Sequence, residues 1–313
     1  MDHDLLVAAP SRWDEATFAM PAVRAAVAYG LGTAVVCRSE QAGLWSSISQ
    51  LRVISYSGGE SARQLAGKLD ENWQLSIAWE NGVAAQAFKL AKVQRRLGTL
   101  QLKWRSPFTN VPDLSIGPLD HRVQYYLAMF ESLGIPTKNP AFYQNQKNNE
   151  PARKVWLLAP DSDFGKNHQW PLDRWVEIAN RLLDRGEKLH VVSWHSSKTQ
   201  AQQLIAGIPG RGEATTILLD HGVLDAFADF SFLLSADSSL SHLASCAGLR
   251  CAVLFGPNDP QWKRPLGRQH VIIRQHVECA PCLMAKCPMD LRCQSELSVD
   301  HVWTALQPML DSV

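Results

Sequence analysis

Leu233–Pro260 reads LLSADSSLSHLASCAGLRCAVLFGPNDP, and its pattern is strand, tight turn, helix, strand, loop. Leu233 to Ala236 is a short apolar run suited to a buried strand. Asp237-Ser238-Ser239 is a helix N-cap signature, and Leu240, Leu243, Ala244 and Ala247 repeat at helical spacing until Gly248 stops the helix. A second apolar run, Cys251 to Phe255, completes a βαβ unit. Parallel strands joined this way present the start of the helix beyond the carboxyl edge of the sheet, where free backbone N–H groups and the helix dipole favour an anion such as phosphate. His242 lies four residues after Ser238, on the same helix face, and could donate to a phosphate or a sugar hydroxyl. The stretch alone is equally compatible with a satisfied helix histidine and serines that only cap.

Outward from this unit the strand–helix alternation continues on both sides. Toward the N-terminus, strands are predicted at Leu5–Ala9, Thr33–Cys37, Leu51–Ser55, Gln74–Trp79 and Arg96–Gly98, with helices at Ala16–Tyr29, Ala42–Ile48, Ser61–Leu69 and Gly82–Leu90. Pro10–Glu15 reads as a loop, Gln101–Pro118 as an irregular segment and Asp120–Leu133 as a helix. Ile135–Arg153, rich in Pro, Asn and Gln, reads as a linker. Strands resume at Lys154–Ala159, Lys188–Ser193, Thr215–Leu219 and Val271–Ile273, with helices at Leu172–Arg185, Thr199–Ala206 and Val299–Leu310. Such alternation predicts parallel sheets covered on both faces. The expectation is an α/β protein of two Rossmann-like domains facing a cleft, residues 1–150 and 151–313, with a C-terminal closing helix.

Lysine and arginine (31) nearly balance aspartate and glutamate (30), so no global field draws nucleic acid. No apolar run reaches the roughly 18 to 20 residues of a membrane-spanning helix, and MDHDLLVAAPS does not read as a signal peptide, so a cytoplasmic protein is expected. The segment after the first strand, A-P-S-R-W-D-E, lacks the glycines of a dinucleotide fingerprint, and neither G-x-x-x-x-G-K-[ST] nor G-x-S-x-G occurs.

D-S-x-L-x-H-L-A-x-x-x-G, followed by an apolar strand and F-G-P-x-x-P, resembles the signature of glycosyltransferase family 9, the bacterial heptosyltransferases of lipopolysaccharide core assembly. The loop Ala159–Pro171 resembles the family's P-G-A-x-x-G-x-x-K-R-W-P at Pro160, Gly165, Trp170 and Pro171. The resemblance implies a GT-B type fold and an inverting, metal-independent transfer of heptose from an ADP-activated donor to a lipid-linked glycan acceptor. It implies donor contacts at Ser162, Asp237, Ser238, Ser239 and His242. The family's lysine is replaced by His168 and its arginine by Gln169, leaving Lys166 or a protonated His168 to supply positive charge. Asp161 stands where the family has glycine and brings a negative charge toward the phosphate, and Ser239 also replaces a glycine. The family's general base falls at Glu15, with Asp14 as the second choice, placed on the loop before the first helix. These departures also fit a weakened relative that binds nucleotide sugars or a protein partner, and an epimerase of the same two-domain build is a further reading. The family implies work at the inner face of the inner membrane, with peripheral membrane contact.

Of seven cysteines, four form C-x₂-C-x₄-C-x₅-C at Cys279, Cys282, Cys287 and Cys293. Their spacing suits a structural zinc, a disulfide pair or free thiols, and in each case a staple outside the chemistry. No cofactor is expected for the reaction itself.

Overall fold

The computed structural model describes residues 5–69, 73–99, 106–143, 155–193, 199–216 and 222–312. The chain divides into two compact units, residues 1–144 with 219–222, and residues 145–218 with 223–313. The expected boundary at 150/151 lies outside the described residues.

In the first unit, β1 (Leu5–Ala8), α1 (Trp13–Ala28), β2 (Thr33–Arg38), α2 (Ala42–Ser46), β3 (Arg52–Tyr56), α3 (Ala62–Ala66), β4 (Leu75–Ala78), α4 (Val83–Leu90) and β5 (Arg95–Gly98) alternate, followed by α5 (Val123–Glu131). The strands are all parallel, in the order β3-β2-β1-β4-β5. β1 is buried at every position, as a central strand covered on both faces must be. α1 buries Ala16, Phe18, Ala19, Ala22, Val23 and Ala26, a run of small and apolar residues that lets α5 pack closely against it. It accommodates Pro21 within its length.

The second unit contains β6 (Val155–Ala159), α6 (Leu172–Asp184), β7 (Lys188–Ser193), α7 (Thr199–Gly207), β8 (Glu213–Thr216), β9 (Phe232–Ala236), α8 (Ser239–Cys246), β10 (Arg250–Phe255), α9 (Pro260–Lys263), β11 (Val271–Arg274), α10 (Arg292–Ser295) and α11 (Val299–Leu310). Its six parallel strands run β11-β10-β9-β6-β7-β8. One core joins Trp156 and Leu158 of β6, Leu234 of β9, Leu254 of β10, Trp175 and Ile178 of α6, and Val302, Leu306 and Met309 of α11. The last helix therefore packs on the second unit, against α6 and β11.

Read from its first strand, the second sheet has the order 3-2-1-4-5-6 of a dinucleotide-type doubly wound fold, and the first sheet the order 3-2-1-4-5. Chain direction switches between β6 and β9 in one sheet and between β1 and β4 in the other. At such a switch the loops leave in opposite directions and open a crevice at the carboxyl edge, which is where ligands bind in this architecture. Several predicted boundaries move. α1 begins at Trp13, with Arg12 as an N-cap whose side chain makes no capping bond. β8 starts two residues earlier than expected and is polar, and the short α9 and α10 form where no element is predicted.

Candidate active site

At the switch of the second sheet, three loops are tied together by Asp237, the first residue after β9. Its carboxylate Oδ2 lies 2.9 Å from His168 Nδ1 and accepts from Asn258 Nδ2 at 2.7 Å. Its main-chain carbonyl accepts from Ser162 Oγ at 2.6 Å. Ser162 and His168 belong to the loop after β6, and Asn258 to the F-G-P-N-D-P loop after β10. Asp237 is fully buried, and its other oxygen, Oδ1, has no hydrogen-bond partner among the described residues. A buried carboxylate oxygen without a donor costs free energy that a ligand hydroxyl can recover.

The start of α8 carries an anion, and that anion is a side chain. Ser239 N–H donates to Asp163 Oδ1 at 2.8 Å and Ser239 Oγ to Asp163 Oδ2 at 2.6 Å. The N-cap read at Asp237-Ser238-Ser239 falls at Ser238, whose side chain makes no capping bond, and the carboxylate that meets the helix start comes from 76 residues upstream. Ser238 Oγ faces inward, 3.3 Å from Ser235 Oγ, and Ser162 has its hydroxyl proton committed to Asp237, so neither hydroxyl stands open as a phosphate donor in this state. His242 is buried, one turn into α8. Lys166 is exposed, in a single turn that follows Gly165, whose φ of +113° suits glycine. Asp161 is buried at the start of the loop after β6. Its carboxylate caps the start of α7, accepting from Gln200 N–H at 3.2 Å and Ala201 N–H at 3.1 Å, with Gln169 Nε2 at 3.4 Å.

In the first unit, Asp14 and Glu15 occupy the first turn of α1 rather than a loop. Asp14 is fully buried and held by Arg12 at 3.0 and 3.1 Å. Glu15 Oε2 accepts from Arg122 Nε at 2.8 Å and from the Tyr126 hydroxyl. Burial, then the neighbouring Glu15 carboxylate, holds the Tyr126 phenol well above its ordinary range, so it remains a donor. At the switch between β1 and β4, a cavity of about 200 Å³ is lined by Pro10, Ser11, Arg38, Tyr56, Trp79 and Glu80 among others.

The four clustered cysteines do not fit a zinc. Among the described residues, no group of three or more His, Cys, Asp or Glu side chains is arranged to hold a metal ion. Cys293 is turned into the core on α10, while Cys279 is exposed. The thiols are neighbours nonetheless: burial first, then the proximity of Cys279, Cys282 and Cys287, pushes Cys293 up to about 11. Gly256 explains the inward turn, since a Cβ there would come within 2.3 Å of Gln294 Nε2 and 3.4 Å of Cys293 Sγ.

Sequence reading missed Asn258, Asp163, Arg122 and Tyr126. Asn258 and Asp163 lie inside recognised motifs at variable positions. Arg122 and Tyr126 reach Glu15 across 107 and 111 residues, with no local signal.

These two doubly wound sheets, with sites at their switch points, define a two-Rossmann protein of the GT-B type. Over 99% of its length the chain superposes on E. coli ADP-heptose lps heptosyltransferase II with a TM-score of 0.78 and 19% identity, covering 98% of that chain. A glycosyltransferase of family 9 from Veillonella parvula gives 0.80 at 13% identity, with the same coverage. The sequence profile of glycosyltransferase family 9 (heptosyltransferase) matches residues 113–292, and the chain belongs to that family. Among curated relatives, lipopolysaccharide heptosyltransferase 1 of Pseudomonas aeruginosa is 28% identical over 158 residues, 45% of this chain and 44% of the relative. Lipooligosaccharide heptosyltransferase 2 of Haemophilus ducreyi is 27% identical over 241 residues, 67% of this chain and 68% of the relative. The first match thus spans under half of its relative's length. Among the described residues, no helix is long and apolar enough to cross a membrane.

Proposed function

We propose that the chain is an inverting, metal-independent transferase that moves heptose, or a related sugar, from an ADP-activated donor to a lipopolysaccharide core or related envelope glycan. The observation that carries the reading is the Asp237 hub: the loops after β6, β9 and β10 are bound together at the switch point, leaving a buried carboxylate oxygen to meet a sugar hydroxyl. Here residues 151–313 take the donor and residues 1–150 the acceptor. The donor diphosphate replaces the Asp163 carboxylate at the start of α8, gaining the N–H and hydroxyl of Ser239, with Ser238 and His242 behind them. Asp237 fixes the sugar, and His168 and Asn258 hold Asp237 in place.

Glu15 is the general base, and Asp14, saturated by Arg12, is the weaker choice. An acceptor hydroxyl attacks the anomeric carbon from the face opposite the diphosphate. Its oxygen forms the new C–O bond, its proton passes to Glu15, and the C–O bond to the diphosphate breaks with its electron pair leaving on ADP. The lipid anchor of such an acceptor brings the enzyme to the inner face of the membrane as a peripheral protein. The test is incubation with ADP-heptose and a heptose-deficient core acceptor. Acceptor-dependent release of ADP, with one heptose added to the acceptor by mass, is expected. No transfer from any nucleotide sugar, with nucleotide binding retained, would make the chain a binding protein of the same fold.

A further inference from the structure

Between β11 and α10 the chain runs through Cys279-Ala-Pro-Cys282-Leu-Met-Ala-Lys-Cys287-Pro-Met-Asp290, a stretch that the transfer reaction leaves unused. Cys282 and Cys287 are half-buried, with their thiols near that of the buried Cys293. The residues between them, Leu283, Met284, Ala285 and Lys286, are all exposed, as is Met289 just beyond, so the segment is held at its two cysteines and turns outward between them. Leu283, Met284 and Met289 are 56%, 46% and 61% exposed, and among the described residues they are the second unit's exposed large apolar side chains. Single apolar residues scattered over a surface need no explanation, but their concentration in one loop does. Leu283 also adopts φ +56°, a left-handed conformation uncommon outside glycine and asparagine, and gains no burial from it.

This tip is bonded to the loops that carry the site. Leu283 N–H donates to the Pro257 carbonyl at 2.8 Å, one residue before the Asn258 that holds Asp237. Asn167 Nδ2 donates to the Met284 carbonyl at 3.3 Å, one residue before His168. The exposed Lys166 precedes Asn167, so the apolar tip carries Lys286 on its own turn and Lys166 on the turn bonded to it. Of the carboxylates in the same stretch, Asp290 is held by Arg292 at 3.2 and 3.3 Å, and Glu278 precedes the first cysteine. An apolar tip edged by ammonium groups matches an anionic bilayer, where Leu and Met side chains enter below the headgroups and lysine meets phosphate. We propose that residues 283–289 dock the second unit on an anionic lipid surface, holding the Asp237 hub beside the membrane that carries a lipid-linked acceptor. The choice of a bilayer over a second copy of the chain rests on these charges and on the acceptor reading given above.

Sedimentation of the full chain with vesicles of phosphatidylethanolamine containing about one quarter phosphatidylglycerol, and with vesicles of phosphatidylcholine alone, tests the surface. The unmodified chain should bind the anionic vesicles more tightly than the neutral ones. A variant combining Leu283→Asn, Met284→Gln and Met289→Gln should bind the anionic vesicles at least about tenfold more weakly, and Lys286→Gln about fivefold more weakly. Asparagine suits the left-handed position 283 and all four side chains are exposed, so an unchanged urea midpoint reports an intact fold. Should the triple variant be destabilised, Met284→Gln with Met289→Gln replaces it, and undiminished vesicle binding by that pair overturns the proposal. Equal binding by the triple variant and the unmodified chain, or no binding of the unmodified chain to either vesicle, overturns it as well. A dimer that the triple variant abolishes, without vesicle binding, assigns the tip to a second copy and overturns it too. Vesicle binding needs no sugar transfer, so a chain that binds vesicles through this tip but transfers from no nucleotide sugar keeps the surface and loses the transferase reading.

Discussion

Glu15→Gln separates a base from a structural carboxylate. The change preserves size but removes the charge that Arg122 Nε meets at 2.8 Å and that the Tyr126 hydroxyl also contacts. The Glu15 side chain is 11% exposed and that of Arg122 25%, so the pair is neither deeply buried nor fully screened. Hydrogen bonds to charged groups contribute about 1.5–3 kcal/mol, and with Arg122 partly solvated the net loss of stability should be about 2 kcal/mol. If Glu15 takes the acceptor's proton, turnover should fall by about 10²–10⁴ with ADP affinity unchanged, well beyond what that loss of stability explains. Tyr126→Phe is the control. It removes one donor, should cost about 1 kcal/mol, and should slow turnover by no more than about tenfold because Arg122 still orients the carboxylate. Urea unfolding and acceptor-dependent ADP release, measured on both variants and on the double variant, complete the cycle. A coupling of at least about 0.5 kcal/mol between the two positions is expected from their direct contact. Near-normal turnover by a destabilised Glu15→Gln would refute the assignment and leave Glu15 as the brace between α1 and α5.

Gly256→Ala should destabilise by about 1–3 kcal/mol, because its Cβ would lie 2.3 Å from Gln294 Nε2 in a buried contact, and an unchanged urea midpoint would contradict that packing. Burial lowers His270 to about 4 from 6.5, and its Nδ1 accepts from Cys251 N–H while Nε2 lies 2.9 Å from the Leu266 carbonyl. The folded state thus stays neutral while the unfolded chain takes up a proton below about 6.5, so this histidine's contribution is full above that pH and declines toward pH 4. The stability gap between the unmodified chain and His270→Gln should accordingly narrow by about 2 kcal/mol between pH 8 and pH 5, and a gap independent of pH would contradict it. Native-state thiol labelling at pH 8 should modify Cys279 quickly and leave Cys37, pushed up to about 12 by burial, and the buried Cys251 and Cys293 until the chain unfolds. Uniform labelling of all seven would show looser packing in both units than the structure has.

Most of the fold was readable because parallel strands buried on both faces must be continuous apolar runs, as Leu5–Ala8 and Trp156–Ala159 are. β8, with the sequence Glu-Ala-Thr-Thr at the sheet edge, lacks that requirement, and its predicted position slipped by two residues. The loops that carry the site were legible from their punctuation: Pro160, Gly165 and Pro171 in one, Gly256 and Pro257 in the other. What those loops do with their charges was not legible. Asp161 looked like a misplaced negative charge until α7, about 40 residues on, proved to need it. Asp163 had no visible role until Ser239 was found in its grasp. Long-range pairs leave no local pattern, so a sequence can name the atoms at a site without showing how they neutralise one another.

A crystal structure of the chain with ADP measures directly where the donor's diphosphate binds. It should show a phosphate oxygen accepting from Ser239 N–H, the Asp163 carboxylate displaced from its 2.8 Å contact, and Asp237 still joined to His168 and Asn258. ADP bound elsewhere, with Asp163 still seated on Ser239, would contradict it.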